Sequence, residues 1–221
     1  KGKTELRDHL RRQPDGEKAW MKLQGLVYGK YMHRAQLMPG VANFLLNCKT
    51  QNHNLFIVSH KTEYGHFDPA RISLRQESLK WMETKRFFDT DYFGINRESI
   101  FFANTREEKV EKIAQLQCDC FIDDLPEVFA EVDFPFGTRK ILFGVSGGEN
   151  PPNDKAVLDS WREISEKILG QTTDDDLFAW ASQLVNETIE KIEKIPGRGN
   201  SRVHKITTTG GNSYAIKYYP D

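Results

Sequence analysis

Apolar positions along the chain change their period several times, and each change marks an element. Charged sequence interrupted by apolar residues at helical spacing covers residues 4–23 and 23–49, broken at Pro14-Asp15-Gly16 and reopened after Pro39-Gly40 by "GVANFLLNC". The spacing predicts a helical front part. Four short apolar runs follow: "NLFIVS" (54–59), "SIFFA" (99–103), "CDCFIDD" (118–124) and "RKILFG" (139–144). Between them, "SLRQESLKWMETKRFF" (73–88) and "REEKVEKIAQLQ" (106–117) carry helical periodicity. This alternation predicts one parallel sheet holding all four runs, joined by crossover helices. "GVSGGENPPND" (144–154) reads as a loop, and two amphipathic stretches near 155–169 and 173–194 read as helices. Thr173 ahead of three aspartates suits the start of the second. After Pro196 the chain turns to Gly, Thr and β-formers, with Gly210-Gly211 as a hairpin turn and a boundary near Ile195.

Composition narrows the classes of function. With 221 residues, 38% of them hydrophobic, the chain can bury one sizeable core with an appendage. Its 31 basic residues balance 32 acidic ones, so nucleic acid is not an expected partner, since a phosphate backbone calls for a basic excess or stripe. No apolar run approaches the ~20 residues of a membrane span and no signal-peptide pattern opens the chain, which makes a reducing cytoplasm the expected compartment. Cys48, Cys118 and Cys120 have neither the number nor the spacing of a disulfide framework or a zinc site, and read as buried or half-buried thiols. The opening residue is Lys1 rather than Met, as in a processed or excised piece.

Candidate chemistry gathers at the ends of the apolar runs. In "LFIVSHKTEYGHFDP" (55–69) a strand stops at Ser59 and runs into His60 and Lys61. In open α/β sheets the C-terminal edge of the strands is where ligands bind, so a hydroxyl followed by cations there suits a phosphate or a carboxylate. "REEKVEKIAQLQCDCFIDDLPEVF" brings a lysine-bearing helix, then a strand ending in Asp123-Asp124. Adjacent carboxylates repel unless a metal, a proton or cations neutralise them, which marks the pair as a hard-cation candidate. The same residues also suit a loop start in which Asp124 caps a helix beginning near Pro126.

A hydroxyl, a lysine and an acidic pair in that order resemble motifs II, III and IV of the haloacid dehalogenase superfamily, over about residues 20–145. "PGVANFLL" ahead of the Ser strand fits the same pattern. The resemblance implies that Ser59 hydrogen-bonds a phosphoryl oxygen and that Lys109, or Lys112 one turn later, neutralises its charge. It further implies that Asp124 ligates Mg2+ with Asp123 in support, and that His60 and Lys61 touch a phosphorylated small molecule. The family's nucleophile strand, ending in Asp-x-Asp-Gly-Thr, does not precede Ser59. "FFDTDYFG" (87–94) holds Asp89-Thr90-Asp91 but follows the Ser strand and lacks the Gly-Thr, so it reads as a decoy. In the family the nucleophile strand lies between the Ser strand and the acidic-pair strand. Its omission implies missing upstream residues, another segment in the slot, or a rearranged sheet.

The tail, "GRGNSRVHKITTTGGNSYAIKYY", resembles the first strands of the aminoglycoside phosphotransferase and choline kinase family. Gly197, Gly199, Asn200 and Ser201 would form the loop over nucleotide phosphates, and Lys217 of "YAIK" would contact them, implying ATP. No catalytic-loop Asp follows, and a plain β-ribbon is the alternative.

The expected fold is therefore α/β: a Rossmann-like three-layer parallel sheet with a helical, cap-like N-terminal part and a short C-terminal β-hairpin. Residues 1–145 form the dehalogenase-like domain, 1–40 its cap-like helices, 146–195 a helical linker, and 196–221 the start of a kinase-like lobe. The expected function is a magnesium-dependent phosphatase domain without its nucleophile, inactive alone, in a bifunctional phosphatase and small-molecule kinase. The alternative is a degenerate, non-catalytic regulatory or interaction module beside a phosphotransferase.

Overall fold

The front part forms α1 (Lys3–Arg11), α2 (Gly16–Tyr28), a 3-10 turn over Met32–Arg34 and α3 (Val41–Thr50). Gly40 opens α3 at φ 80, a left-handed conformation that glycine adopts without Cβ strain, which explains the Pro-Gly ahead of the helix. The computed structural model describes residues 3–144, 155–170, 178, 181–182, 184–196 and 202–218. Within them the chain is mixed α/β, with two parallel sheets followed by one antiparallel sheet.

The four apolar runs are strands, as the pattern predicts: β1 (Ile57–His60), β2 (Ile100–Ala103), β3 (Cys120–Asp123) and β4 (Arg139–Phe143). Between them lie α4 (Leu74–Thr84), α5 (Arg106–Leu116) and the short α6 (Pro126–Phe129). Ser73 caps α4 by accepting from the Gln76 N–H, and Thr105 caps α5 by accepting from the Glu108 N–H. Each such cap stabilises its helix by roughly 1 kcal/mol, and these oxygens fix where the crossovers begin.

Two expectations need correction. The four strands do not share one hydrogen-bonded sheet. β1 pairs with β2 in parallel, and β3, β4 and a further strand, β5 (Lys155–Leu158), form a separate parallel sheet in that order. β5 was expected to be the start of a helix. Asp159-Ser160 interrupts the stretch, and Ser160 with Glu163 builds a capping box that starts α7 (Trp161–Leu169) only after the strand has ended.

The second correction lies between 173 and 194, where a helix was expected over the whole stretch. Its end is a strand, β6 (Ile189–Ile195), paired antiparallel with β7 (Arg202–Thr208), which pairs with β8 (Ser213–Tyr218). Ile189, Ile192 and Ile195 recur every third residue, which reads as a helical stripe. A register shift between Ile189 and Lys191 absorbs one residue, so Ile189 and Ile192 face the same side although they are three apart. The expected hairpin at Gly210-Gly211 joins β7 to β8, with Gly211 at φ 82, and becomes part of a three-stranded sheet.

Alternate residues of both parallel sheets feed two apolar clusters. Ile57, Ile100, Cys120, Ile122, Ile141, Phe143, Ala156 and Leu158 belong to one, with Phe44 and Cys48 of α3 and Ile164 of α7. Val58, Phe101, Phe121, Leu142 and Val157 belong to the other, with Val110 and Ile113 of α5. Phe44 meets the Trp161 ring at 5.1 Å between centroids, locking α3 to α7. Each large side chain buried this way stabilises the fold by about 1.5–3 kcal/mol. Ala181, Ile189 and Ile206 form a separate small cluster under the antiparallel sheet.

Candidate functional site

The candidate residues stand at the C-terminal ends of strands in the two parallel sheets. Ser59 and His60 close β1, Asp123 closes β3 and Asp124 follows it. The Ser59 hydroxyl is half-buried and makes no hydrogen bond among the described residues. His60 is exposed, its Nε2 2.9 Å from the Asn104 carbonyl oxygen just beyond β2.

Lys109 and Asp123 are brought together. Lys109 lies four residues before Ile113 on the inward face of α5, and its ammonium forms an ion pair with Asp123 in which both side chains are under 10% exposed, at 8% and 5%. Asp123 also accepts the Leu125 N–H at 3.0 Å. Lys112, the alternative lysine, goes elsewhere. Its Nζ donates to Gln115 Oε1 at 2.6 Å and sits 5.0 Å from the Phe101 ring centroid. There it lines a groove of about 330 Å³ with Val58, Phe101, Ala103, Glu108 and Glu111.

Asp124 is exposed beside this pair. The two carboxylates offer the hard oxygens that Mg2+ prefers, but the cation takes about six and Asp123 is already engaged by Lys109 and the Leu125 N–H. Among the described residues no three acidic, His or Cys side chains gather as a metal shell. The residues fit the metal in type but would supply only part of its shell.

Residues that the motif reading passed over order this edge. Arg75 donates to the Lys61 carbonyl at 3.0 Å and to Asn104 Oδ1 at 2.7 Å, with Glu63 3.6 Å away. Asn104 donates through its N–H to Glu108 Oε2 at 2.7 Å. The signal for Asn104 was present in "ANTREE", a polar residue and a cap directly after a strand. Arg75 carried no such signal, because its partners are distant in sequence.

Two strand edges bear on the site. The Lys61 N–H donates to the Ala103 carbonyl at 2.9 Å, so by strand alternation the backbone groups of Val58 and His60 face away from β2. The Arg139 N–H donates to the Asp119 carbonyl at 2.9 Å, so those of Cys120 and Ile122 face away from β4. Among the described residues no strand pairs with either edge, and β1 and β3 do not lie at strand spacing from each other. Both strands nonetheless feed the same two clusters.

Neither protein-family models, curated proteins nor solved structures match the chain. The geometry therefore carries the functional argument.

Asp89-Thr90-Asp91, the decoy, is held as a turn: Arg86 donates to Asp89 at 2.8 Å, and Lys49 Nζ donates to the Thr90 carbonyl at 2.5 Å and the Tyr92 carbonyl at 2.9 Å. Cys48 is buried, Cys118 and Cys120 are half-buried, and all three are free thiols; burial pushes Cys48 up to about 12. Gly197, Gly199, Asn200 and Ser201 lie outside the described residues. Lys217 is exposed on β8 opposite Val203, on the face away from Ile206. Among the described residues no helix is long and apolar enough to cross a membrane.

Proposed function

We propose that residues 1–145 are the body of a dehalogenase-like phosphatase, in a Rossmann-like three-layer arrangement, whose nucleophile arrives on a further parallel strand between β1 and β3. The observation that carries this reading is that β1 and β3 lie in separate parallel sheets that feed the same two apolar clusters, each with a backbone edge that no described strand pairs with. A further strand between them would pair the backbone groups of both edges and continue the two clusters as one core, which fits the cost of leaving buried amides unpaired. An inserted strand would end between the Ser59 hydroxyl and the Lys109–Asp123 pair.

The chemistry follows from that placement. A carboxylate at the end of the inserted strand would attack the phosphorus of a phosphate monoester, forming an acyl phosphate and breaking the P–O bond to the alkoxide, which takes a proton from solvent water and leaves as the alcohol; water would then hydrolyse the acyl phosphate to the carboxylate and inorganic phosphate. Ser59 would donate to a phosphoryl oxygen, and Lys109 would offset charge on the transferring group. Asp124, with Asp123, would hold Mg2+, which supplies charge neutralisation. Residues 1–221 alone hold phosphate but do not turn it over.

A second reading belongs to the antiparallel sheet. Ile195, Val203, Ala215 and Lys217 share the face away from the small cluster with Lys191, Glu193 and Lys205. A β8 lysine opposite Val203, after the Gly- and Ser-bearing sequence 197–201, supports ATP binding by a kinase-like lobe.

The test is to express the chain with its native upstream coding segment and assay p-nitrophenyl phosphate with Mg2+. We expect an apolar strand ending in Asp and magnesium-dependent turnover. No such strand, or no turnover, would overturn the enzyme reading in favour of a non-catalytic regulatory module.

A further inference from the structure

Lys61 differs from the other cations at this edge. Lys109 is paired with Asp123, Arg75 lies 3.6 Å from Glu63, and Arg106 lies 3.1 Å from Glu131. The Lys61 ammonium has no carboxylate partner among the described residues and sits 4.3 Å from the Tyr28 ring centroid. Its backbone is fixed on both sides, the N–H donating to Ala103 and the carbonyl accepting from Arg75. Burial lowers its pKa to about 8, which is what a partly desolvated ammonium without a counter-charge shows.

The Tyr28 side of this contact is also built. A Cβ on Gly65 would come within 2.7 Å of Gly25 Cα, so α2 lies directly on the segment that follows β1. Tyr28 is three residues beyond Gly25 on the same face of α2, and the two glycines bring its ring down over Lys61. Ser59 and Lys61 are two residues apart on one side of an extended chain, about 7 Å.

We propose that Lys61, held against Tyr28, binds a second anionic group of the substrate, so that the site selects phosphate esters bearing a carboxylate or a further phosphate over esters of neutral alcohols. This rests on the phosphatase reading for the role of Ser59. With Ser59 on the phosphoryl group, Lys61 reaches an anion a few bonds away on the alcohol. The cation–π contact keeps the ammonium in place without neutralising it, and an anion supplies what the fold leaves out.

Amine labelling of the 221-residue chain at pH 8, read by mass spectrometry at Lys61, tests this without turnover. At that pH about half of Lys61 is neutral and reactive, against well under 1% of an ordinary lysine. Phosphoglycolate should protect Lys61 at least fivefold more than glycerol 2-phosphate or inorganic phosphate at equal concentration. Equal protection by all three would place Lys61 on the transferring phosphoryl group and overturn the proposal, as would no protection by any. In the strand-completed protein, Lys61→Met should lower the ratio of kcat/KM for phosphoglycolate over p-nitrophenyl phosphate at least tenfold, with Lys61→Arg restoring most of it. If that protein hydrolyses neither ester, the phosphatase reading has failed, and the labelling still decides whether Lys61 is an anion site.

Discussion

Lys109→Met tests the centre of the site without any assumption about catalysis. The substitution keeps the length and apolar stem of the side chain on α5 and deletes the ammonium. It leaves Asp123, with a side chain only 5% exposed, holding one remaining hydrogen bond, from the Leu125 N–H at 3.0 Å. Removing one partner of a buried ion pair costs about 3–5 kcal/mol, because the other charge stays desolvated. With a urea m-value near 2 kcal/mol per molar, the midpoint should fall by roughly 1.5–2.5 M. Trp81 and Trp161, packed on Phe87 and Phe143, report the unfolding of this part by fluorescence. Asp123→Asn alone should cost a similar amount by stranding Lys109. The double variant should be much better than the sum, with a coupling of at least about 2 kcal/mol. A single-variant loss below about 1 kcal/mol, or simple additivity, would refute the buried pair.

In the strand-completed protein, Asp124→Asn should cut magnesium-dependent turnover by orders of magnitude, and Ser59→Ala by only ~10–100-fold, since a neutral hydrogen bond is weaker than a metal ligand; the reverse order in steady-state assays would misassign both. Gly65→Ala should destabilise the front part, because its Cβ would meet Gly25 Cα at 2.7 Å, and a thermal midpoint equal to wild type would show that α2 yields without cost. Lys61 binds its proton less tightly folded, at about 8, than unfolded, near 10.5, so its contribution to stability rises with pH across that window and is lost as pH falls towards 8; denaturation of Lys61→Met should show a flatter rise between those values. In a protein that includes the continuation of the kinase-like lobe, Lys217→Ala should weaken ATP binding in calorimetry, and removal of that lobe should be made ahead of Ile189 rather than at Ile195, because β6 pairs with β7.

Local pattern determined a good deal about this chain. Strands ending at Ser59 and Asp123, helices started by Ser73 and Thr105, and the glycine hairpin at 210–211 follow from periodicity and capping chemistry, which act within a few residues. Those spans already put Ser59 and Asp123-Asp124 at the C-terminal ends of their strands and Lys109 on the helix between β2 and β3. The tertiary structure decided the rest. The three-residue period of Ile189, Ile192 and Ile195 means a helix or a bulged strand, and pairing with β7, which no local signal encodes, chooses the strand. Lys109 and Lys112 are equivalent by spacing, and only the packing of α5 on Phe121 sends the first to Asp123 and the second to Gln115. The division of the parallel strands into two sheets and the seat of Lys61 on Tyr28 are contacts between distant segments, with energies fixed by which surfaces meet rather than by the residues beside them.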